Sequence, residues 1–457
     1  MKKLLLGSTA LVMGGLMATP ALAADPIKIG VGGYYTFYGA AGNIQPTYAT
    51  DGTATQYKGI EFLQEGEIHF IGQTKLDNGT SVGVTVELEA WNTNTAVNNQ
   101  IIDEAFLFAF GNWGRVELGA RDPGPYRMYY GTPSALIGWG FVQHNHAYLN
   151  ASVMANNKAY RGFLSTTIDP QMQDSNRINY FTPRFSGLQI GVAYTPKFQP
   201  QILMGANGVS PGPGLVSGTC GFPAPTNVFN CPTADYSWQD AFDIGANYLN
   251  KFGDLSVALF GAFMYSSFVP GFTPFSPSAN MVTGANLTAW KQWVAGAQFS
   301  FAGFTIGGAL GWDNNGRGAN YFTRVDNDTR FYTAGVMYET GPWQMSAGWA
   351  GFRNTNGDGS ATVTSIATGT QTQTLNTAAM TGVPGVNSTA FGGGGAAVAG
   401  GLAFGTESVD KYEVGANYAL GPGVKLTGGF MYYSVSGPSN AVSGNSWAFV
   451  LGMDLRF

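Results

Sequence analysis

The chain has 457 residues, of which only 11% are charged, 14% are aromatic and 66 are glycine. Abundant aromatic residues and scarce charge exclude a disordered chain, and a mean hydropathy near zero excludes a bundle of membrane helices, each of which needs about 20 consecutive apolar residues. The formal charge of −5 disfavours nucleic-acid binding, which requires basic patches.

The first predicted element is a signal peptide at residues 1–23. A basic start is followed by an uncharged apolar stretch from Leu4 to Met17 and by the small residues Ala21 and Ala23. A retained membrane helix is disfavoured because the apolar stretch is short and a cleavage site follows it. We expect cleavage before Ala24 and export through the periplasm, which leaves residues 24–457 as one folded domain.

Beyond residue 24 the sequence has the two-residue period of β-strands, whose successive side chains face opposite sides. Between Thr80 and Trp91, Val82, Val84 and Val86 alternate with small, polar and acidic residues. The last segment has large apolar residues at every second position from Trp447 to Phe457. This alternation suits either a soluble sandwich or a membrane barrel.

The lengths of the connections distinguish these two folds. Short turns are predicted at residues 77–79, 111–114, 185–187, 250–254, 302–303, 341–342 and 420–423. Long loops are predicted near residues 40–58, 93–101, 123–175, 198–238, 268–287, 315–328, 355–406 and 437–444. Strict alternation of short and long connections indicates an all-β fold, a transmembrane antiparallel β-barrel of 16 strands with short periplasmic turns and long extracellular loops.

The membrane as solvent explains this pattern. In hydrocarbon a sheet must close so that no backbone edge is left unpaired, and its outward side chains must be apolar while the inward ones can be wet. Aromatic residues near strand ends are expected to form two interfacial girdles. These residues are Tyr34, Tyr35, Trp91, Trp113, Trp293, Trp312, Trp343, Trp447 and Phe457.

Two motifs resemble those of the Gram-negative general porins, especially the alphaproteobacterial ones. They are DEAFLFAFGNWGRVELGAR at Asp103–Arg121 and INYFTPRFSGLQIGVAY at Ile178–Tyr194. Ile27–Tyr38 resembles the first porin strand, and Phe457 matches the terminal aromatic residue of that family. The resemblance implies a homotrimer of water-filled barrels, each narrowed by an inward-folded third loop, here residues 123–175.

The sequence departs from the porin pattern in two places. Ala120 stands between the Leu-Gly pair and Arg121, where porins usually have the arginine directly after the glycine. The presumed constriction loop has only Asp169 and Asp174 as carboxylates. These departures disfavour the usual porin arrangement, in which an acidic loop faces a basic wall.

Strand parity assigns eight basic and eleven acidic side chains to the pore wall, which predicts a mild preference for cations. Arg115 and Arg121 lead into the presumed constriction loop and are the main candidates for its narrowest point. The full set of candidates for the pore lining or its narrowest point is Arg115, Arg121, Arg177, Lys75, Glu61, Glu67, Glu87, Glu117, Asp169 and Asp174.

Cys220 and Cys231 are the two cysteines of the chain. In an exported protein such a pair is expected to form one disulfide, here within the loop at 198–238. A metal site at this loop would need more ligands than two thiols, and His144 and His146 likewise have no third ligand near them.

We therefore expect a general diffusion porin of the bacterial outer membrane, passing ions and small hydrophilic solutes, with no cofactor and no nucleic-acid partner. Outer-membrane lipids, including lipopolysaccharide, are expected around the barrel. A solute-specific channel for a sugar or an anion, and a non-channel β-rich surface or adhesion protein, are the alternatives. An enzyme is disfavoured because His69 near Glu67 has no evident nucleophilic serine.

Overall fold

The computed structural model describes residues 26–44, 47–48, 54–55, 59–90, 102–136, 175–197, 237–269, 288–314, 316, 328–356, 361–364, 372–375, 405–437 and 444–457. Within these residues, sixteen antiparallel strands close into one barrel in which each strand pairs with the next and the first pairs with the last. The predicted fold and strand number are confirmed.

The barrel strands are numbered in chain order. The first eight are β1 (Lys28–Ile44), β2 (Ile60–Lys75), β3 (Ser81–Glu89), β4 (Ile102–Gly111), β5 (Gly114–Ala120), β6 (Asn176–Phe181), β7 (Leu188–Lys197) and β8 (Ser237–Phe252). The second eight are β9 (Leu255–Val269), β10 (Trp290–Phe301), β11 (Phe304–Asp313), β12 (Thr329–Thr340), β13 (Trp343–Asn356), β14 (Gly405–Gly421), β15 (Val424–Ser436) and β16 (Gly444–Arg456). Each of the seven predicted short turns joins two consecutive strands, the first joining β2 to β3 and the last joining β14 to β15. All seven turns lie at the same end of the barrel.

Shorter elements lie in the long connections. Thr47–Tyr48 pairs with Ala54–Thr55, and Ala361–Thr364 pairs with Thr372–Leu375. A single turn of helix, α1 (Gly124–Arg127), follows β5. In the part of the chain that the structure describes, no helix has the length and apolar character needed to cross a membrane.

The ends of the chain close the barrel. β1 and β16 are in register from Tyr34 opposite Arg456 to Ile44 opposite Ser446. One step beyond the ladder, the Gly33 and Phe457 backbones exchange N–H to O hydrogen bonds of 3.0 and 3.1 Å. The terminal residue is thereby part of the sheet, so β16 leaves no free edge against β1, as hydrocarbon surroundings require.

The two faces of the strands differ as the parity pattern predicts. In β16, Phe449 and Leu451 point outward and are 56% and 70% exposed, whereas Ala448 and Val450 point inward and are buried. In β3, Val84 points outward while Glu87 is buried on the inner face. The barrel therefore has an apolar exterior and an interior that holds most of its charge.

The predicted girdle needs one correction. Tyr34 points inward, because its hydroxyl donates a 2.8 Å hydrogen bond to Glu67 on the inner face of β2. The adjacent Tyr35 therefore faces outward, and the sequence pair could not say which of the two did so. Outward exposure is found for Trp113, Trp293, Trp343, Trp447 and Phe457, whereas Trp91 lies outside the described residues.

The packed core of this protein lies inside the barrel. Met128 and Leu136, from the segment after β5, are buried together with the inward-facing Phe260, Phe331 and Met431. The interior is therefore partly filled, and the segment that follows β5 is one of the elements that fill it.

Candidate functional site

Residues 121–136 leave the end of β5 and lie against the inner wall of the barrel. The Gly124 amide of α1 donates to Asn179 Oδ1 on β6 at 2.9 Å. Farther along, Asn247 on β8 donates to the Met128 carbonyl at 3.2 Å. We call residues 123–136 the inner segment. Its first half is thus attached to the wall through its own backbone.

The other half of the inner segment is bound by strands on the far side of the barrel. Gln298 on β10 donates to the Gly131 carbonyl at 2.9 Å. The Ala135 amide donates to Ser346 Oγ on β13 at 2.8 Å, and the Ala135 carbonyl accepts from Asn417 on β14 at 3.0 Å. Because wall side chains satisfy these backbone groups, the part of the inner segment after α1 can run through the interior without a regular structure of its own.

Glycine on the wall makes this close approach possible. A Cβ atom at Gly296 would lie 2.1 Å from the Tyr130 carbonyl oxygen, and one at Gly307 would lie 2.4 Å from that of Gly131. Both are backbone contacts that no real side chain could make. Similar approaches below 3 Å to atoms of the inner segment occur at Gly191, Gly245, Gly335, Gly415 and Gly429.

We call the inner faces of β10–β15 the small-residue wall, because Gly296, Gly307, Gly335, Gly415 and Gly429 meet the inner segment there. The inner faces of β2–β6 have a different character. We call them the charged wall, because they present Glu67, Glu87, Glu104, Glu117, Arg115 and Arg177 to the interior, and Arg121 follows directly from β5.

Glu117 joins the charged wall to the inner segment. Its buried carboxylate accepts from Arg115 Nε at 2.6 Å and forms an ion pair with Arg127 of α1. Asn179 donates to the same carboxylate at 3.3 Å. Two guanidinium groups around one carboxylate leave a local excess of positive charge at this point.

Arg121 lies among acidic groups instead. It forms ion pairs with Glu104 and, at 3.2 Å, with Glu87. The amide of the next residue, Asp122, donates to Glu104 at 3.0 Å. Burial raises the pKa of the Asp122 carboxyl group, although Arg121 and Arg177 oppose that shift.

Aromatic rings support the arginines on this wall. The Arg115 guanidinium lies 4.7 Å from the centre of the Phe108 ring, and that of Arg121 lies 4.7 Å from Phe106. Stacking on a ring limits the motion of a long side chain and leaves its charge in place. These arginines are therefore positioned groups, with their charges at defined points of the wall.

The sequence-predicted candidates fall into three groups. Arg115, Arg121, Arg177, Glu67, Glu87 and Glu117 lie on the charged wall. Lys75 is exposed at the end of β2 beside a short turn. The side chain of Glu61 in β2, and all of Asp169, Asp174, Cys220 and Cys231, lie outside the described residues.

Two contributors were missed by parity alone. Glu104 faces inward together with Phe106 and Phe108, while Leu107 faces outward. Because both faces of β4 are apolar, its alternation cannot show which face is the lumen. Arg127 is not among the sequence-predicted candidates, since its pairing with Glu117 depends on the path of the inner segment.

One group on the charged wall has the composition of a metal site. Glu67, His69 and Glu87 each offer a ligand atom, and these atoms lie within 4.8 Å of one another. They come from adjacent strands, since His69 is directly opposite Glu87 in the β2–β3 register.

Comparison with known proteins identifies relatives along most of the chain. A family described as Gram-negative porin matches residues 7–383 and 260–455. An uncharacterized protein of Rickettsia typhi is 22% identical over 387 residues, 76% of this chain and 85% of its own. One of Rickettsia prowazekii is 24% identical over 390 residues, with the same coverage.

Solved structures share the fold at low sequence identity. The anion-selective porin from Comamonas acidovorans superimposes with a TM-score of 0.51 at 13% identity, covering 94% of this chain and all of that one. The outer membrane channel DcaP of Acinetobacter baumannii gives a TM-score of 0.52 at 9% identity, covering 96% and 100%. At such identities the similarity concerns the barrel and not its solutes.

Proposed function

Because the chain belongs to the Gram-negative porin family, we propose that this outer-membrane channel is a general diffusion porin. It passes ions and small hydrophilic solutes down their gradients, without an energy source. The observation that carries this proposal is the closed barrel with an apolar exterior and with charge on its inner wall. Family and fold favour a channel over an enzyme.

The pairing of the charges favours general over solute-specific passage. In the described part of the interior, Glu117 contacts Arg115 and Arg127, Lys411 contacts Glu413, and Arg121 has its own carboxylate partners. A site that holds one solute tightly needs convergent polar groups whose partner is that solute. Paired charges instead keep the wall wet and act on many solutes through their field.

The inner segment is proposed as the first part of a constriction, formed by the loop at 123–175. Its attachment along both halves of the barrel supports this role, because a segment across the interior narrows the path beside it. Its charge differs from the acidic loop and basic wall that are usual in porins. Here the inner segment contributes Arg127 and the wall contributes the carboxylate of Glu117.

A mild preference for cations is proposed as well. It is supported by the eleven acidic and eight basic side chains that strand parity assigns to the pore wall. This would differ from the Comamonas acidovorans relative, which is anion-selective. The sign of the reversal potential in a salt gradient measures this preference directly.

Planar-bilayer recording of the purified, unboiled protein tests the proposed function. We expect steps of conductance that rise in proportion to salt concentration and uptake of neutral sugars by liposomes that does not saturate. Saturable block by one sugar or one anion would replace the proposal with a solute-specific channel. Folded protein that inserts without conductance would instead favour a surface or adhesion role.

We propose a homotrimer, as in related porins, with contacts through a recess on the outer wall. A groove of about 1020 Å³ is lined by small outward residues, namely Gly39, Ala41, Ala347, Ala416 and Gly428, and by apolar neighbours. Small residues let two membrane-embedded surfaces approach closely. We expect Ala347→Trp to give monomers in detergent by light scattering, while Leu107→Trp on the opposite exterior leaves the oligomer intact.

Lipopolysaccharide is proposed as a lipid partner at the rim of the long loops. Lys291 and Arg330 are exposed, face outward and stand second in strands that begin after long loops. Ammonium and guanidinium groups at this height suit the phosphates of a lipid headgroup. The Lys291→Gln/Arg330→Gln variant should co-purify with less lipopolysaccharide than the unmodified protein, and equal amounts would contradict the assignment.

A further inference from the structure

The metal-like group on the charged wall comprises side chains from two adjacent strands. Glu67 and His69 stand on the inner face of β2, and Glu87 stands opposite His69 on β3. His69 Nε2 lies 2.7 Å from Glu67 Oε2 and 3.9 Å from Glu87 Oε2. An imidazole and two carboxylates therefore converge from a rigid part of the sheet.

These distances are close to what a small divalent cation requires. Tetrahedral zinc with bonds of about 2.0–2.1 Å holds its ligand atoms about 3.3 Å apart. Moving His69 Nε2 by roughly half an ångström from Glu67 towards Glu87 would bring both separations to that value. All three ligand atoms lie within 4.8 Å of one another and at the ends of their side chains.

Groups outside the cluster orient both carboxylates. Tyr34 donates to Glu67 Oε1 at 2.8 Å, and Arg121 contacts Glu87 Oε1 at 3.2 Å. In each carboxylate the first oxygen is therefore engaged, and the second, Oε2, is the one nearest His69. Outer hydrogen bonds of this kind fix the direction of metal ligands and raise metal affinity.

The cluster is open to the interior of the barrel. The side chain of His69 is 27% exposed, and those of Glu67 and Glu87 are 15% and 10% exposed. Three protein ligands with access to water leave a fourth coordination position for a water molecule. An ion moving along the charged wall can therefore reach these three groups without opening the sheet.

We propose that Glu67, His69 and Glu87 form a binding site for a divalent transition-metal cation, such as zinc, on the inner wall of the barrel. The imidazole selects for this class, because Ca²⁺ and Mg²⁺ prefer sites made of oxygen ligands alone. A bound ion would add two positive charges beside Arg121. It would therefore neutralise the two ligand carboxylates and weaken the local attraction of cations.

The test is titration calorimetry of the full protein, purified in detergent without a histidine tag and freed of metal with a chelator. ZnCl₂ is expected to bind with one ion per chain. His69→Gln, which keeps a polar side chain of similar length, should weaken zinc binding at least tenfold. Correct folding of each variant is checked by its heat-dependent migration in a gel.

Two controls decide the assignment. Glu339→Gln removes an exposed carboxylate at the short-turn rim, and His144→Ala/His146→Ala removes the two histidines of the loop at 123–175. Both should retain zinc binding. Unchanged affinity in folded His69→Gln, loss of binding in the double histidine variant, or Ca²⁺ binding as tight as that of Zn²⁺ would overturn the site.

This measurement does not depend on conductance, so failure of the metal site and failure of the porin proposal are distinguishable. If the channel conducts, micromolar ZnCl₂ should shift its reversal potential towards that of anions. The His69→Gln channel should show no such shift. An equal shift in both channels would place the zinc elsewhere and contradict the proposal.

Discussion

The charged wall and the small-residue wall are parts of one sheet, and they differ only in the residues that face inward. On the charged wall, arginines and glutamates pair with one another and with aromatic rings, as in the contact of Arg121 with Glu87 and Phe106. On the small-residue wall, glycines such as Gly296 leave space for the backbone of the inner segment. One wall thus positions charge, and the other accommodates a segment of chain.

This difference supports the proposed constriction, in which the inner segment narrows the barrel beside a charged wall. The inner segment is attached at Glu117 through an ion pair and at Ala135 through hydrogen bonds of its backbone. Its backbone is satisfied by polar side chains on the small-residue wall, where β14 also carries the Lys411–Glu413 pair, and the arginine–glutamate pairs remain on the charged wall. Solutes are therefore expected to pass beside the charged wall.

The largest effect is expected from an arginine on the outer face of either wall. Val84 on β3 and Leu310 on β11 are 37% and 44% exposed, lie near the middle of their strands and are outside the proposed subunit contact. Val84→Arg and Leu310→Arg should each cost up to about 2–4 kcal/mol of barrel stability, because the charge enters hydrocarbon. Heat-dependent migration of the folded barrel in a gel measures this loss.

Val84→Leu and Leu310→Ile are the matched controls and should leave the temperature at which the folded barrel unfolds in the gel assay unchanged. If one arginine variant is destabilised and the other is not, the two walls do not share a lipid-facing exterior.

A smaller effect is expected where the inner segment meets the small-residue wall. Gly307→Val places a side chain against the Gly131 carbonyl, and overpacking of this kind costs roughly 1–3 kcal/mol. The inner segment should then detach, so that single-channel conductance and its noise increase. Protease cleavage within residues 123–136 should become faster.

Gly261→Val is the control for this change. Gly261 lies on the outer face of β9, two strands away from Gly307, and an added Cβ there would meet nothing within 4 Å. The control channel should behave as the unmodified one does. Normal conductance in Gly307→Val would show that the inner segment does not limit the path.

The smallest effect concerns the charged wall. The interaction free energy between one wall charge and a monovalent ion about 8 Å away in water of physiological salt is roughly 0.2–0.3 kcal/mol. Each charge acts with opposite sign on cations and anions, so replacing both Arg115 and Arg121 by glutamine should raise the permeability ratio of cations over anions about four- to eightfold. The reversal potential in a salt gradient measures this ratio.

Measurements at high salt distinguish the electrostatic effect of the charged wall from the steric effect at the small-residue wall. At 1 M salt the Debye length is about 3 Å, so the Arg115→Gln/Arg121→Gln effect should nearly vanish while that of Gly307→Val persists. A reversal potential that does not move at low salt would remove both arginines from the path of the ions.

Much of this protein was readable from local pattern. The two-residue period identified the strands, and the turn at Asp77–Gly79 and its six counterparts established the number of strands. Parity separated Val84 from Glu87, because one strand face meets lipid and the other meets water. Parity did not identify the inner face of β4, because Phe106 and Leu107 are both apolar and yet face opposite sides.

The sequence by itself determined a closed β-barrel with an apolar exterior, because these properties depend on alternation and on connection length, which are local in the chain. Tertiary structure alone decided which wall the inner segment follows, that Arg127 meets Glu117, and that Tyr34 faces inward. Those contacts join residues distant in sequence whose partners are set by closure of the barrel. Physical proximity across a closed sheet has no local signature in the order of residues.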